Sequence, residues 1–158
     1  MFYADRNLLR SELARLRSAG GRVVFTNGCF DLLHPGHLRL LSAAKAMGDY
    51  LLVALNTDAS VRRLKGPHRP LTGEAARAEM ILGLKPVDFA IFFDEPTPHE
   101  LLLALKPHLD VLVKGGDYGA GEIVGESEVL SWGGKVERIP LAPGFSTTAL
   151  EKKIREAS

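Results

Sequence analysis

The stretch "TNGCFDLLHPGHL", residues 26–38, decides how this chain is read. It begins in an apolar run, "RVVFTN" (22–27), and ends in "GHLRLLSAAKAM" (36–47), whose apolar residues recur at helical spacing. A buried strand therefore hands over to a helix through a short loop with a proline and a glycine before the first helical turn. His34 and His37 bracket that proline and glycine. A helix start carries free N–H groups and a partial positive charge, so it attracts phosphate. Two imidazoles there can add hydrogen bonds to phosphate oxygens, and Gly36 lets an anion approach the backbone. An incidental pair of histidines in a turn is an equally good reading of the spacing alone. Metal binding by the pair is weaker, since no third ligand is evident, and no protein metal ligand is expected.

Working outward, the same alternation repeats. β-like runs at 50–56 ("YLLVALN"), 88–93 ("DFAIFF"), 110–115 ("DVLVKG") and 135–140 ("KVERIP") read as strands, most of them continuously apolar as expected for burial on both faces. Helical patterns fall at 97–106, where Thr97, Pro98 and Glu100 resemble a capping box, and at 146–157. Another spans about 5–19, with Leu9, Leu13 and Leu16 on one stripe, and Gly48 is placed as the C′ glycine of the 36–47 helix. The expectation is an α/β protein. It is one Rossmann-like, doubly wound sheet of about five parallel strands with helices on both faces, forming a single domain over 1–158. The helix at about 5–19 precedes its core.

Composition narrows the function classes. The chain has 158 residues, 46% hydrophobic and 25% charged, which suits one soluble globular domain. Twenty Lys and Arg against 19 Asp and Glu argue against a dedicated nucleic-acid binder. No apolar stretch approaches the roughly 20 residues needed to cross a bilayer, so no membrane partner is expected. The N-terminus is too charged for a secretory signal, which makes a cytoplasmic protein the expectation. A single cysteine, Cys29, excludes an internal disulfide and a cysteine zinc site.

In an open parallel sheet, ligands bind beyond the carboxyl ends of the strands, so the loops there carry the functional reading. The loop after the first long strand lacks G-x-G-x-x-G, and "GAGEIVG" (119–125) has valine at 124 where the third glycine belongs. "NTDASVRRLKGPHRP" (56–70) gathers Arg62, Arg63, Lys65, His68 and Arg69 in a segment that its glycine and prolines keep irregular. It is either a basic loop that closes on a polyphosphate or a solvated surface loop. "KGGDYGAG" (114–121) offers Gly115, Gly116 and Asp117 in a tight turn, and "APGFSTTAL" (142–150) sets Ser146, Thr147 and Thr148 at a helix start. Simple N-capping would need only one of those three hydroxyls.

Together these tracts resemble a known family. "GCFDLLHPGH" looks like the G-x-F-D-x-x-H-x-G-H signature of the cytidylyltransferase-like nucleotidyltransferases, and "GFSTTAL" resembles their I-S-T-T element, with Phe145 in place of isoleucine. Within that superfamily the ordered set, with "LVKGGDY", is most similar to the adenylyltransferases of D-glycero-β-D-manno-heptose 1-phosphate metabolism. The resemblance runs from about Val23 to Ile154. It implies transfer of AMP from ATP to a sugar 1-phosphate by direct in-line attack, with Mg²⁺ carried by the ATP phosphates. It also implies roles. His34, His37 and Lys65 stabilise the reacting phosphates. Gly28, Cys29, Phe30 and Gly36 border the nucleotide, and Asp31 holds the loop or a magnesium-bound water. Arg77 aids phosphate binding, Gly115, Gly116 and Asp117 lie near adenine and ribose, and Phe145, Ser146, Thr147 and Thr148 grip the outer phosphates.

Ala75 stands where many relatives carry a glutamate two residues before that arginine, which leaves the arginine's local salt bridge open. The best-known relatives fuse this domain to a sugar kinase, so a separate kinase would supply the sugar 1-phosphate. Family members are often dimers, so a homodimer is among the expectations, although no apolar stripe marks an interface. Two other readings stay open. One is a cytidylyltransferase acting on glycerol 3-phosphate or a similar alcohol phosphate. The other is a non-catalytic nucleotide-sensing domain, which the presence of both histidines, Lys65 and the S-T-T run disfavours.

Overall fold

Residues 1–140 and 143–156 are described by a computed structural model of the chain. Six parallel strands form one sheet: β1 (Phe2–Tyr3), β2 (Val23–Gly28), β3 (Tyr50–Asn56), β4 (Phe89–Phe93), β5 (Val111–Gly115) and β6 (Lys135–Ile139). Their order is β1-β4-β3-β2-β5-β6. The five long strands match the β-like runs. The sixth, β1, is two residues at the edge beside β4, too short to leave a pattern in the sequence.

Although the central strands are buried on both sides, their side chains still alternate between two cores. Val23 and Phe25 join Leu52 and Ala54 under α1 (Arg6–Ser18) and α5 (His99–Leu105). Val24 joins Leu51, Val53 and Val111 under α2 (Pro35–Lys45) and α4 (Glu74–Leu82). Leu9, Leu13 and Leu16 of α1 are buried, so the N-terminal helix is part of the first core. Asp5 caps it, accepting from the N–H groups of Asn7 and Leu8 at 2.8 and 2.9 Å.

The chain steps from β2 outward to β3 and β4, then returns to add β5 and β6 on the other side of β2. This reversal puts the topological switch point between β2 and β5, where α/β sheets bind ligands. The β2–β5 ladder pairs only Val24 with Val111 and Phe25 with Leu112. Beyond that, the carboxyl ends of the two strands part and open a crevice.

Several local expectations are corrected. Asp58–Lys65 forms a helix, α3, capped by Thr57, whose Oγ1 accepts from the Ser60 N–H. The glycine and prolines lie beyond it, so only the segment from Gly66 to Gly73 is irregular. The capping box at Thr97 does not form, because buried Pro98 takes the N-cap position of α5 and has no side-chain acceptor. Gly48 is not the C′ residue of α2, which is capped at Ala46. A Cβ on Gly48 would lie 2.8 Å from the Arg22 carbonyl oxygen, so close backbone approach requires the glycine. α6 (Glu126–Ser131) precedes β6, and the closing helix, α7, spans Thr147–Glu156. Ala142 and Ala157, within the tracts read at 142–150 and 146–157, lie outside the described residues.

Arg77 holds the crevice rim together. Its side chain is fully buried, and four of its five guanidinium N–H donors are engaged within the protein. Nη1 donates to the Cys29 carbonyl at 2.6 Å and Nε to the Thr72 carbonyl at 3.0 Å. Nη2 donates to the Asn56 carbonyl at 2.7 Å and to Asp58 at 2.9 Å. The phosphate contact expected of Arg77 is therefore replaced by a clamp on three loops. Its carboxylate partner is Asp58, while Glu74 accepts from the Asp58 N–H at 2.6 Å. Arg77→Ala would leave buried carbonyls unsatisfied and strip Asp58 of its partner, at a cost of about 3 kcal/mol or more. For a domain of this size that corresponds to a fall in Tm of about 6–12 °C by calorimetry, whereas a change within about 2 °C would contradict the clamp.

Candidate active site

The loop from β2 to α2 builds the centre of the site. His34 is the N-cap of α2, with extended backbone, and Pro35 follows at the first helical position. The His34 N–H donates to Nδ1 of His37, 3.3 Å away. That bond fixes the tautomer: Nδ1 accepts, so the ring proton of neutral His37 sits on Nε2. The two imidazoles stack with centroids 3.8 Å apart, and the centroid of the Phe30 ring lies 5.3 Å from that of His37. Burial, followed by repulsion from His34, pushes the His37 pKa down to about 4. Burial also lowers that of His34. At neutral pH His37 is thus an uncharged N–H donor held in one orientation.

Phe30 adopts a left-handed backbone, φ 48°, which is strained for a side-chain-bearing residue. This turn buries its ring against His37. Gly36 serves the same packing. A Cβ there would lie 2.9 Å from the His34 ring and 3.4 Å from Phe145, so the glycine lets the imidazole and the Phe145 side chain close over the helix start.

Asp31 is the anchor for the basic segment. It is 2% exposed and accepts from Arg69 Nε at 2.5 Å, from Leu71 N–H at 2.8 Å and from Thr72 N–H at 2.9 Å. Burial raises its pKa, but these donors outweigh burial and hold the carboxyl below the usual carboxylate range. Both oxygens are engaged, so Asp31 holds the loop. Arg69 reaches on to Glu151 of α7 at 3.1 Å, which ties the 66–73 segment to the closing helix. Lys65 ends α3, exposed, with no salt bridge to a described residue. Ser146 caps α7, its Oγ accepting from the Ala149 N–H at 3.0 Å. That leaves Thr147 and Thr148, at the first positions of α7, with hydroxyls and N–H groups that have no partner within the helix.

Three adjoining cavities run along the carboxyl edge of the sheet. The first, about 490 Å³, is walled by His34, Gly36, Gly115, Phe145 and Ser146, together with Arg39 and Ile139. The second, about 260 Å³, is lined by Cys29, Phe30, Asp31, His37, Lys65, Arg69, Thr147 and Thr148. The third, about 310 Å³, includes Asn27, Gly28, Cys29, Asn56, Lys65 and Lys114. His37 and Thr147 belong to both the first and second, and Cys29 and Lys65 to both the second and third. The middle cavity is thus a junction, with two cations and two threonine hydroxyls on its wall. Burial pushes the Cys29 thiol up, despite Lys65, Arg77 and Arg69 nearby, so it remains a protonated wall group and no ready nucleophile.

Most residues singled out in the sequence converge here. Gly116 and Asp117 do not, as neither lines the three cavities. Gly116, at φ 134°, serves the turn, where a Cβ would lie 2.9 Å from the Tyr118 ring, and Asp117 is exposed. Among the wall residues that do not stand out as site candidates in the sequence are Lys114, Asn27 and Asn56. Of these three, only Lys114 leaves a signal there, as a lone cation ending a strand of buried apolar residues.

Residues 25–152 match the family model described as cytidylyltransferase-like. The bifunctional protein HldE of Trichlorobacter lovleyi is 51% identical over 152 residues, covering 96% of this chain and 30% of that protein. Its counterpart in Koribacter versatilis is 53% identical over 148 residues, covering 91% and 30%. The chain therefore spans about three tenths of the length of these relatives. Among solved structures, a lipopolysaccharide core biosynthesis protein from Thermoplasma volcanium superposes with a TM-score of 0.62 at 31% identity, over 78% of this chain and 98% of its own. Fold, loop signature and matches together place the chain in the cytidylyltransferase-like family of nucleotidyltransferases.

Proposed function

We propose that the chain transfers AMP from ATP to a sugar 1-phosphate, D-glycero-β-D-manno-heptose 1-phosphate, releasing pyrophosphate. The observation that carries this reading is the run of three joined cavities with a neutral His37 and Lys65 at the junctions. Such an arrangement suits a nucleotide in the large cavity, its phosphates in the middle one and an acceptor beyond. The ordered tracts "TNGCFDLLHPGHL", "NTDASVRRLKGPHRP" and "LVKGGDY" support the heptose acceptor. So does the likeness to a lipopolysaccharide core biosynthesis protein.

In this scheme an oxygen of the acceptor phosphate attacks the α-phosphorus, and the bond from the α-phosphorus to the bridging oxygen breaks. Pyrophosphate leaves with that oxygen and its electron pair. No residue needs to form a covalent bond, so catalysis is positioning and charge stabilisation. His37 donates from Nε2 to oxygens on which charge accumulates, and its neutral form needs no change of protonation state at pH 7. Lys65 supplies a positive charge from the end of α3. The start of α7 offers Thr147 and Thr148 to the leaving phosphates. Mg²⁺ is proposed to arrive with ATP. The one carboxylate on the wall of the middle cavity, Asp31, has both oxygens engaged, and no three His, Cys, Asp or Glu gather as a ligand set among the described residues. If carried by the nucleotide's phosphate oxygens, the metal's charge would assist the departure of pyrophosphate.

The substitution His37→Ala removes a preorganised donor, so kcat should fall about 10²-fold or more while KM for ATP changes far less. Steady-state kinetics on folded protein checks this, and a near-normal kcat would remove His37 from the chemistry. Lys65→Ala should impair kcat and KM for ATP together and leave Tm unchanged. Intact turnover with a lowered Tm would instead make Lys65 structural. With heptose 1-phosphate as acceptor, ATP should be preferred to CTP by at least about tenfold in kcat/KM, a gap of about 1.4 kcal/mol. A pyrophosphate-release assay across ATP, CTP and GTP, with heptose 1-phosphate and glycerol 3-phosphate as acceptors, measures it. Equal or better use of CTP would overturn the adenylyltransferase assignment.

A further inference from the structure

Lys114 occupies an unusual position for a lysine. It sits near the carboxyl end of β5, directly after buried Val111, Leu112 and Val113, where β5 and β2 have just parted. Its Nζ donates across the gap to Asn27 Oδ1 at 2.9 Å. Among the described residues no carboxylate pairs with it, so one of its three donors has a partner and the positive charge has none. Burial lowers its pKa, as expected for an ammonium without a counter-charge. Partly burying an unpaired cation opposes folding unless an anion arrives to meet it.

The same cavity wall carries Lys65, which also belongs to the phosphate junction. Its one carboxylate, Glu122, is engaged by the Gly119 N–H at 2.6 Å. Two lysines on one small cavity match the two negative charges of a phosphate monoester. A volume of about 310 Å³ lies near the lower end of ligand pockets, roughly 300–1,000 Å³, which suits a phosphorylated monosaccharide better than a nucleotide. Phe93, Pro98 and Ile123 supply apolar wall for the body of the acceptor.

We infer that this cavity takes the sugar phosphate acceptor and that Lys114, oriented by Asn27 and lining the same cavity as Lys65, binds the phosphate whose oxygen is the nucleophile. The inference rests on the proposed nucleotidyl transfer and assigns its second substrate to named residues. Lys65 stands at the junction, so a phosphate held between the two lysines is next to the cavity proposed for the α-phosphorus.

The test is Lys114→Met, which keeps the length and apolar stem of the side chain and removes its charge, with Lys114→Arg as the conservative partner. In pyrophosphate-release kinetics, Lys114→Met should raise KM for the acceptor at least about tenfold, the loss of one charged hydrogen bond, and leave KM for ATP within about twofold. Lys114→Arg should recover part of the loss, and Tm of Lys114→Met should equal or exceed that of the unchanged protein. An unchanged acceptor KM, or equal rises in both KM values, would overturn the assignment.

A second readout does not depend on turnover. Calorimetric titration of inorganic phosphate into protein saturated with a non-hydrolysable α,β-methylene ATP analogue should show binding that Lys114→Met weakens at least about tenfold. Phosphate binding that is absent, or indifferent to Lys114, would overturn the inference. Lys114-dependent phosphate binding by a protein that transfers nucleotide to no sugar phosphate would instead refute the proposed function and leave this site standing.

Discussion

The hydrogen bond from the His34 N–H to His37 Nδ1 is the constraint on which the site depends. It is formed within the first turn of α2, so the handover from β2 sets it directly. It decides which nitrogen of His37 carries the proton, and the stacked His34 ring and the nearby Phe30 ring help to bury the imidazole. Low local dielectric has two consequences. It disfavours the charged ring, and it strengthens the hydrogen bond that Nε2 can give to a phosphate oxygen. A histidine that reads in the sequence as a hydrogen-bond donor to phosphate is, in the folded chain, a neutral donor aimed by its own helix cap.

Around this centre, three loops from different strands must keep register with one another. Arg77 and Asp31 hold that register with opposite charges. Arg77 gathers the Cys29, Asn56 and Thr72 carbonyls, while Asp31 gathers two backbone N–H groups and Arg69. Both are buried and held by several hydrogen bonds, which makes them rigid spacers between the β2 loop and the 66–73 segment. Arg69 extends the second network to Glu151 and so to α7, whose side chains are otherwise exposed or only partly buried. Lys65, Thr147, Thr148 and Lys114 line the cavities.

Burial on both faces of a parallel sheet writes itself into a sequence as continuous apolar runs, which is why β2 to β5 and the α/β class are legible in the residues themselves. The loop signature puts His34, His37 and the S-T-T run at the right edge for the same reason: strand ends fix where loops go. Side-chain commitment leaves no such trace. Arg77 follows a basic segment and reads as one more phosphate ligand, yet its depth under the rim converts it into a clamp. Asp117 draws attention beside two glycines, but the left-handed Gly116 turns the chain so that it lies outside the cavity walls. Lys114, one residue before those glycines, is hidden because only the parting of β2 and β5 turns the end of a buried strand into a cavity wall. The α3 helix is masked because its proline and glycine neighbours lie just past its C-terminus.

The most direct test of this account is the protonation state of His37 itself, read by ¹⁵N NMR of the side-chain nitrogens across a pH titration of the unliganded protein. The account predicts a neutral ring protonated on Nε2 through the neutral range, gaining its second proton only near pH 4. A ring protonated on Nδ1, or a titration near the ordinary histidine value of about 6.5, would contradict it.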